Sequence, residues 1–345
     1  MSGLILKKPS LASSIRTVVS DGSTYHGFPS IAKSLDSSTI FLAYKVGDHN
    51  QYPPQTIVFR SRASTFGSSW SAPVTVASYD VGTNRAPADP DLLVTSTGRI
   101  LLFTTRINNG GSFWRKPEIW YSDDDGATWT QGTIGLRFAA WSTPCKAAIV
   151  GSDIYLVQYG KASSGDVGYQ AGLMVSSDNG ATWSSSDLIA SGIAVNYSYE
   201  EPGLVQLSDG RIVCILRTDE RQQLMLSSVD AIGGTWRFPT TFGRGYAKAG
   251  FALFADDTML FCQRWPGAAT GGWGLTFYSA KLGSDGVITT SQPAFLDPGC
   301  LPAGSRRMMY AGLEALNANT ALAVWSTDDG TYTGEASIYE AEIAV

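Results

Sequence analysis

Charge is what this sequence is shortest of. Only 16% of its 345 residues are Asp, Glu, Lys or Arg, where an ordinary globular domain carries roughly 25%. The 25 Lys and Arg are scattered and outnumbered by 30 Asp and Glu, for a net charge of -5, so no basic face is expected and no nucleic-acid partner. No stretch approaches the ~20 consecutive apolar residues of a membrane span, so membrane insertion is not expected. The apolar run Gly3 to Leu6 precedes Lys7 and Lys8, and neither the order nor the length fits a secretory signal. A cytoplasmic or phage/virion-associated protein is the expectation.

Metal-ligating residues are scarce as well. Cys145, Cys214, Cys262 and Cys300 are far apart, form no CxxC pair, and have only His26 and His49 to supplement them. Structural zinc needs closely spaced Cys and His ligands, so no metal and no cofactor is expected, and the thiols read as reduced. A G-x-S-x-G elbow is absent. The Gly-rich stretches around Gly243 and Gly271 lack the strand-loop-helix context of a phosphate-binding loop.

What is present is glycine, at 37 residues, and aromatic side chains, at 11%. They belong to a repeat, which must be sought before secondary structure because a missed period misreads the whole fold. Ser122-Asp123-Asp124-Asp125-Gly126-Ala127-Thr128-Trp129 and Ser176-Ser177-Asp178-Asn179-Gly180-Ala181-Thr182-Trp183 both satisfy S-x-D-x-G-x-T-W. Degenerate copies end at Trp70 and Trp236, so the four tryptophans are 59, 54 and 53 residues apart. At an interval of about 57, the chain holds six such units, within the range of β-propeller blades.

The motif suits a hairpin turn. Ser and Asp side chains bond nearby backbone N–H groups, Gly supplies a positive φ, and Trp packs between neighbouring sheets. Calcium binding by Asp123, Asp124 and Asp125 would need a spaced acidic loop with a distal Glu, which is missing. Runs such as Thr39 to Tyr44, Arg99 to Thr104 and Arg211 to Leu216 are short, β-branched or aromatic, and bounded by turn residues, as strands are. The reading is an all-β fold, a six-bladed β-propeller of four-stranded antiparallel sheets. Residues 1–21 form an N-terminal closing arm and residues 22–345 a single propeller domain.

The S-x-D-x-G-x-T-W copies are Asp-boxes, and the chain resembles the sialidase (neuraminidase) superfamily from about residue 22 onward. That resemblance implies an axial site with an acid/base Asp, a Tyr nucleophile beside a Glu, and three Arg on a substrate carboxylate. A Tyr suits a sugar whose anomeric carbon bears a carboxylate, because an anionic nucleophile would be repelled. Arg suits the carboxylate through its planar two-pronged fork. Carried over residue by residue, Asp48 aligns with the acid/base. Glu201, in the stretch Glu200 to Arg217, aligns with the Glu that polarises the nucleophile, with Glu200 as its competitor. Arg217 aligns with one triad Arg, and Tyr310, in Met309-Tyr310-Ala311-Gly312-Leu313, with the nucleophile.

Two arginines of the pattern are missing. The family's Arg-Ile-Pro-Ser is Gly27-Phe28-Pro29-Ser30 here, and the third Arg is replaced by Trp273. Arg264, Arg306 and Arg307 are the candidates to reach the same space. His26 and His49 are read either as sugar contacts or as surface residues, Trp273 either as a sugar platform or as packing between blades. Arg85, Asp89 and Asp91 are placed at the same mouth. The resemblance implies a retaining glycosidase acting on a glycan, with atypical carboxylate recognition. The alternative is a non-catalytic glycan-binding propeller, such as a phage tail or surface-recognition module.

Overall fold

The computed structural model of the protein describes residues 6–47, 55–108, 114–192, 197–219, 221–244, 246–266, 273–297, 300–301, 307–328 and 336–345. Among them there is no α-helix, and the β-branched and aromatic runs form antiparallel strands such as Thr39–Gly47, Ile100–Asn108 and Ile212–Thr218. They assemble into a propeller-like arrangement of five hydrogen-bonded sheets. Two sheets have four strands each, over residues 25–78 and 85–131. A third has eight strands over residues 141–244, as two antiparallel four-stranded halves joined by one parallel pair, Lys146 with Gly203. The fourth covers residues 250–296. The last combines Arg307–Ala315, Thr320–Asp328 and Ile338–Ala344 with the N-terminal strands Ser10–Leu11 and Arg16–Val19.

The two full copies of the repeat close identical turns. In the first, the Ser122 hydroxyl donates to Asp124 at 2.8 Å and accepts from the Gly126 N–H at 2.8 Å. The Asp124 carboxylate accepts from the Thr128 N–H and hydroxyl at 2.9 and 2.6 Å, and Trp129 Nε1 donates to the Gly126 carbonyl at 3.1 Å. Ser176, Asp178, Gly180, Thr182 and Trp183 repeat every one of these bonds. Gly126 must be glycine: its φ is +86°, and a Cβ there would sit 2.0 Å from the Phe59 ring.

Each turn tryptophan then packs on the unit before its own. Trp129 meets Phe59 with centroids 5.1 Å apart, and Trp183 meets Phe103 at 5.7 Å. Trp236, in a degenerate copy, donates instead to Asp187 at 3.1 Å. Trp70 packs against a cluster that contains Leu322, Val324 and Ile338 of the last sheet. The core follows the same logic. Six apolar clusters each join two consecutive units, and the cluster containing Leu42 and Val324 returns from the last unit to the first. The interior is thus a ring of interfaces around an axis.

Candidate active site

Six strands face that axis: Tyr25–Lys33, Arg85–Val94, Trp141–Val150, Tyr199–Gln206, Gly250–Leu253 and Arg307–Ala315. Five of them break register with their hairpin partner at corresponding places, between Gly27 and Ser30, Ala88 and Asp91, Pro144 and Ala147, Glu200 and Gly203, and Met308 and Ala311. A bulge re-aims a side chain that the pleat would otherwise direct into an interface between sheets. The skipped residues include Phe28, Asp89, Cys145, Glu201 and Tyr310, and all five line one axial cavity.

Three of these bulges share a further signature. Phe28, Asp89 and Glu201 precede prolines, yet have φ of 55°, 52° and 46°. A non-glycine residue in the left-handed region costs about 1–3 kcal/mol, and a following proline restricts the residue before it still further. Strain of this kind persists where the surrounding structure enforces it, typically at functional sites. The recurrent X-Pro pairs Phe28-Pro29, Asp89-Pro90 and Glu201-Pro202 are the sequence signal that marks these positions together.

Glu201 and Tyr310, aligned by resemblance as base and nucleophile, do meet at this cavity. Burial pushes the Tyr310 phenol well above its usual value, and the Glu201 and Asp89 charges push in the same direction, against Arg264 and Arg217. The Tyr310 ring stacks on Phe28 with centroids 4.1 Å apart. Arg217 is held by carboxylates on three sides. Its Nε approaches Glu201 Oε2 at 2.7 Å, Nη2 pairs with Glu200, and Nη1 donates to Asp219 at 2.6 Å. Burial opposes its charge, and Glu201, Glu200 and Asp219 together raise its pKa above the ordinary arginine value.

Arg115 was not singled out from sequence. No motif marks it, because only the fold brings the strand Trp114–Ser122 to the same mouth. Its Nη1 lies 3.4 Å from Asp89 Oδ2 and its guanidinium carbon 5.2 Å from the centre of the Trp141 ring. Burial disfavours its charge, and Tyr159, Asp89 and Glu201 outweigh that effect.

At the position of the first missing Arg, a Cβ on Gly27 would stand 2.4 Å from the Tyr25 ring, so Tyr25 occupies the space. The cation there comes from the facing strand. Lys45 pairs with Gly27 across the hairpin, is fully buried, and holds its ammonium 4.4 Å from the centre of the Phe28 ring. At the other missing position, the Trp273 ring lies 4.3 Å from the Arg264 guanidinium, and its carbonyl accepts from the Met308 N–H at 2.7 Å. Arg307, half-buried, begins the strand that carries Tyr310 and bridges to Trp273.

The remaining sequence candidates divide. His26 is not among the residues lining the cavity; its Nε2 lies 3.3 Å from Asp21, and its ring stands edge-on to Tyr44. Asp89 and Asp91 both line the cavity, Asp91 paired with Lys248, whereas Arg85 is exposed. Asp48, His49 and Arg306 lie outside the described residues. The cavity itself is narrow, about 40 Å³, room for a few waters and well short of a pyranose.

A family model described as a BNR repeat-like domain matches residues 38–262. The chain belongs to that family. Among curated proteins, a sialidase of Clostridium perfringens is 24% identical over 248 residues, which are 62% of this chain and 61% of that protein. Two solved structures share the fold. One is a protein of unknown function from Dyadobacter fermentans, with a TM-score of 0.78 at 16% identity, covering 99% of this chain and 100% of the other. The second is a Hadza microbial sialidase, with a TM-score of 0.68 at 16% identity, covering 92% of this chain and 65% of the other. This BNR repeat-like chain therefore spans less than two thirds of both sialidases it resembles, and its sheets are arranged as in sialidase-like propellers.

Proposed function

We propose that the protein is a retaining glycoside hydrolase of the sialidase type. One observation carries this reading: the bulged axial strands deliver Glu201 and Tyr310 to one cavity, where the charge of one acts on the phenol of the other. Glu201 takes the phenolic proton as the Tyr310 oxygen forms a bond to the anomeric carbon. The leaving oxygen takes a proton from the acid, which the resemblance assigns to Asp48; water then gives its proton to the Asp48 carboxylate and its hydroxide to the anomeric carbon as the bond to the Tyr310 oxygen breaks, and Glu201 returns the proton to the phenolate. We count the eight-stranded sheet as two blades, giving six, and read the turn repeats as Asp-boxes.

Arg217 has a different role here from an anion clamp. With three carboxylates already on it, it positions Glu201. The cations that line the cavity are Lys146 and Lys248, with Arg115 beside it on Asp89, a different set from the usual three arginines. The test is turnover of methylumbelliferyl glycosides of N-acetylneuraminic acid, glucuronic acid, galactose and arabinofuranose. Hydrolysis of an acidic member is expected, with Tyr310→Phe lowering kcat by about a thousandfold or more. Silence on every substrate, or an unimpaired Tyr310→Phe enzyme, would overturn the assignment.

A second reading has its own support. Phe28 stacked on Tyr310 and the two arginines of the sialidase pattern missing at Gly27 and Trp273 suit a propeller that binds glycans without cleaving them, as a phage-tail or surface-recognition module would. Glycan binding without turnover on the same panel would favour it.

A further inference from the structure

A second concavity, about 480 Å³, lies away from the axis between the outer strand Thr240–Arg244 and the face of the sheet over residues 250–296. We propose that this trough binds an acidic saccharide, independently of whether the axial site is catalytic. Its size matches a ligand site and is far larger than the axial cavity. Its walls are aromatic. Phe242 stands on one side, and on the other Trp265 and Phe295 pack together with centroids 4.5 Å apart. Phe295 is 52% exposed, an expensive way to leave a phenyl ring unless something covers it. Aromatic faces of this kind pack on the C–H faces of a pyranose.

The floor supplies polarity. Tyr278 is only 8% exposed, and its hydroxyl is buried with no hydrogen-bond partner among the described residues, a costly arrangement in a finished core. A Cβ at the neighbouring Gly243 would come within 2.7 Å of that hydroxyl, so glycine lets the outer strand pass close to it. Thr276 and Thr290 add hydroxyls to the lining.

The charge is one-sided. Among the described residues, Arg244 and Arg264 line the trough and no Asp or Glu does, which selects for an anionic sugar over a neutral one. Arg244 is exposed and donates to the Tyr246 hydroxyl at 2.8 Å. Tyr246 stands edge-on to Trp273 at 5.7 Å, and Trp273 lies under Arg264. A line of aromatic and guanidinium groups thus runs from the trough through Tyr246 to Trp273, along which an extended glycan could lie.

Titration calorimetry with tri-galacturonate, with 3′-sialyllactose and with neutral lactose tests the proposal, using the full chain, Glu201→Gln, Phe295→Ala and Arg244→Ala. Both trough residues are exposed, so their variants should keep the parent circular dichroism spectrum and melting temperature. At least one acidic probe is expected to bind, tenfold or more weakly to either trough variant, within twofold of the parent to Glu201→Gln, and at least tenfold more tightly than lactose. No binding of either acidic probe, binding indifferent to Phe295→Ala and Arg244→Ala, or equal binding of lactose would overturn it. Because Glu201→Gln cripples the axial chemistry alone, failure of the trough and failure of the hydrolase reading give separate results.

Discussion

Arg217 shows how much one side chain can carry where charge is scarce. It sits between Glu200, Glu201 and Asp219, and its removal would leave two largely buried carboxylates facing each other. Breaking a buried pair by deleting one partner typically costs about 3–5 kcal/mol. Arg217→Ala should therefore lower the unfolding free energy at pH 7 by about 3 kcal/mol, measured by urea denaturation. A loss below about 0.5 kcal/mol, as for an exposed pair, would mean that the three-way contact is not populated. Glu201 and Tyr310 could be read from sequence because each sits in a short local pattern. Asp89 was half-legible, since it was placed at the mouth with Arg85 and Asp91, while its bulge shows only when Phe28-Pro29, Asp89-Pro90 and Glu201-Pro202 are set side by side. Arg115 and Lys45 were not legible. Each reaches the site from a second or third strand of its sheet, and only pairing register tells which side chain stands opposite Gly27.

At the scale of the element, the turns are where carboxylates earn their place. Hydrogen bonds from Thr128, and then from Ser122, hold the Asp124 carboxyl down at about 2, and those from Thr182 hold Asp178 at about 2, from an ordinary 3.8. A carboxyl depressed on folding stabilises the native state above its unfolded value and ceases to do so as pH falls through the folded one. The melting temperature should therefore fall between pH 4 and pH 2, and the doubly substituted Asp124→Asn, Asp178→Asn protein should show a shallower decline over that window. Parallel declines would assign the acid sensitivity to other groups. These turns were fully legible, being local: every bond runs between residues at most four apart. The bulges beside the axis were harder to see, because a register shift is a property of two strands, and only the X-Pro pairs at Phe28, Asp89 and Glu201 mark three of the five in the sequence.

For the whole molecule, the outcome depends on closing the ring. The last sheet takes its outer strands from Ser10–Leu11 and Arg16–Val19, and buried Glu340 receives Arg16 at 3.3 Å and Arg62 of the first sheet at 3.2 Å. Removing residues 1–19 would uncover the edge of Ile338–Ala344, a template for pairing with another chain, and would strip one of the two cations from Glu340. The truncated protein should melt at lower temperature and self-associate, as seen by calorimetry and size-exclusion chromatography. An unchanged melting profile in a monomer would show that closure rests on side-chain packing alone.

The pairing that closes the ring also fixes how the molecule would respond to tension. Ser10 lies opposite Ala344 and Leu11 opposite Ile343 in antiparallel register, so Ser10 and Ala344 stand side by side at one end of this ladder. A force drawing them apart would load these backbone bonds one pair at a time, as in a zipper, and would not shear the strands along their length. The seam that completes the circle is therefore also its mechanically weakest line, and a pull on the ends would open the ring there before disturbing the axis.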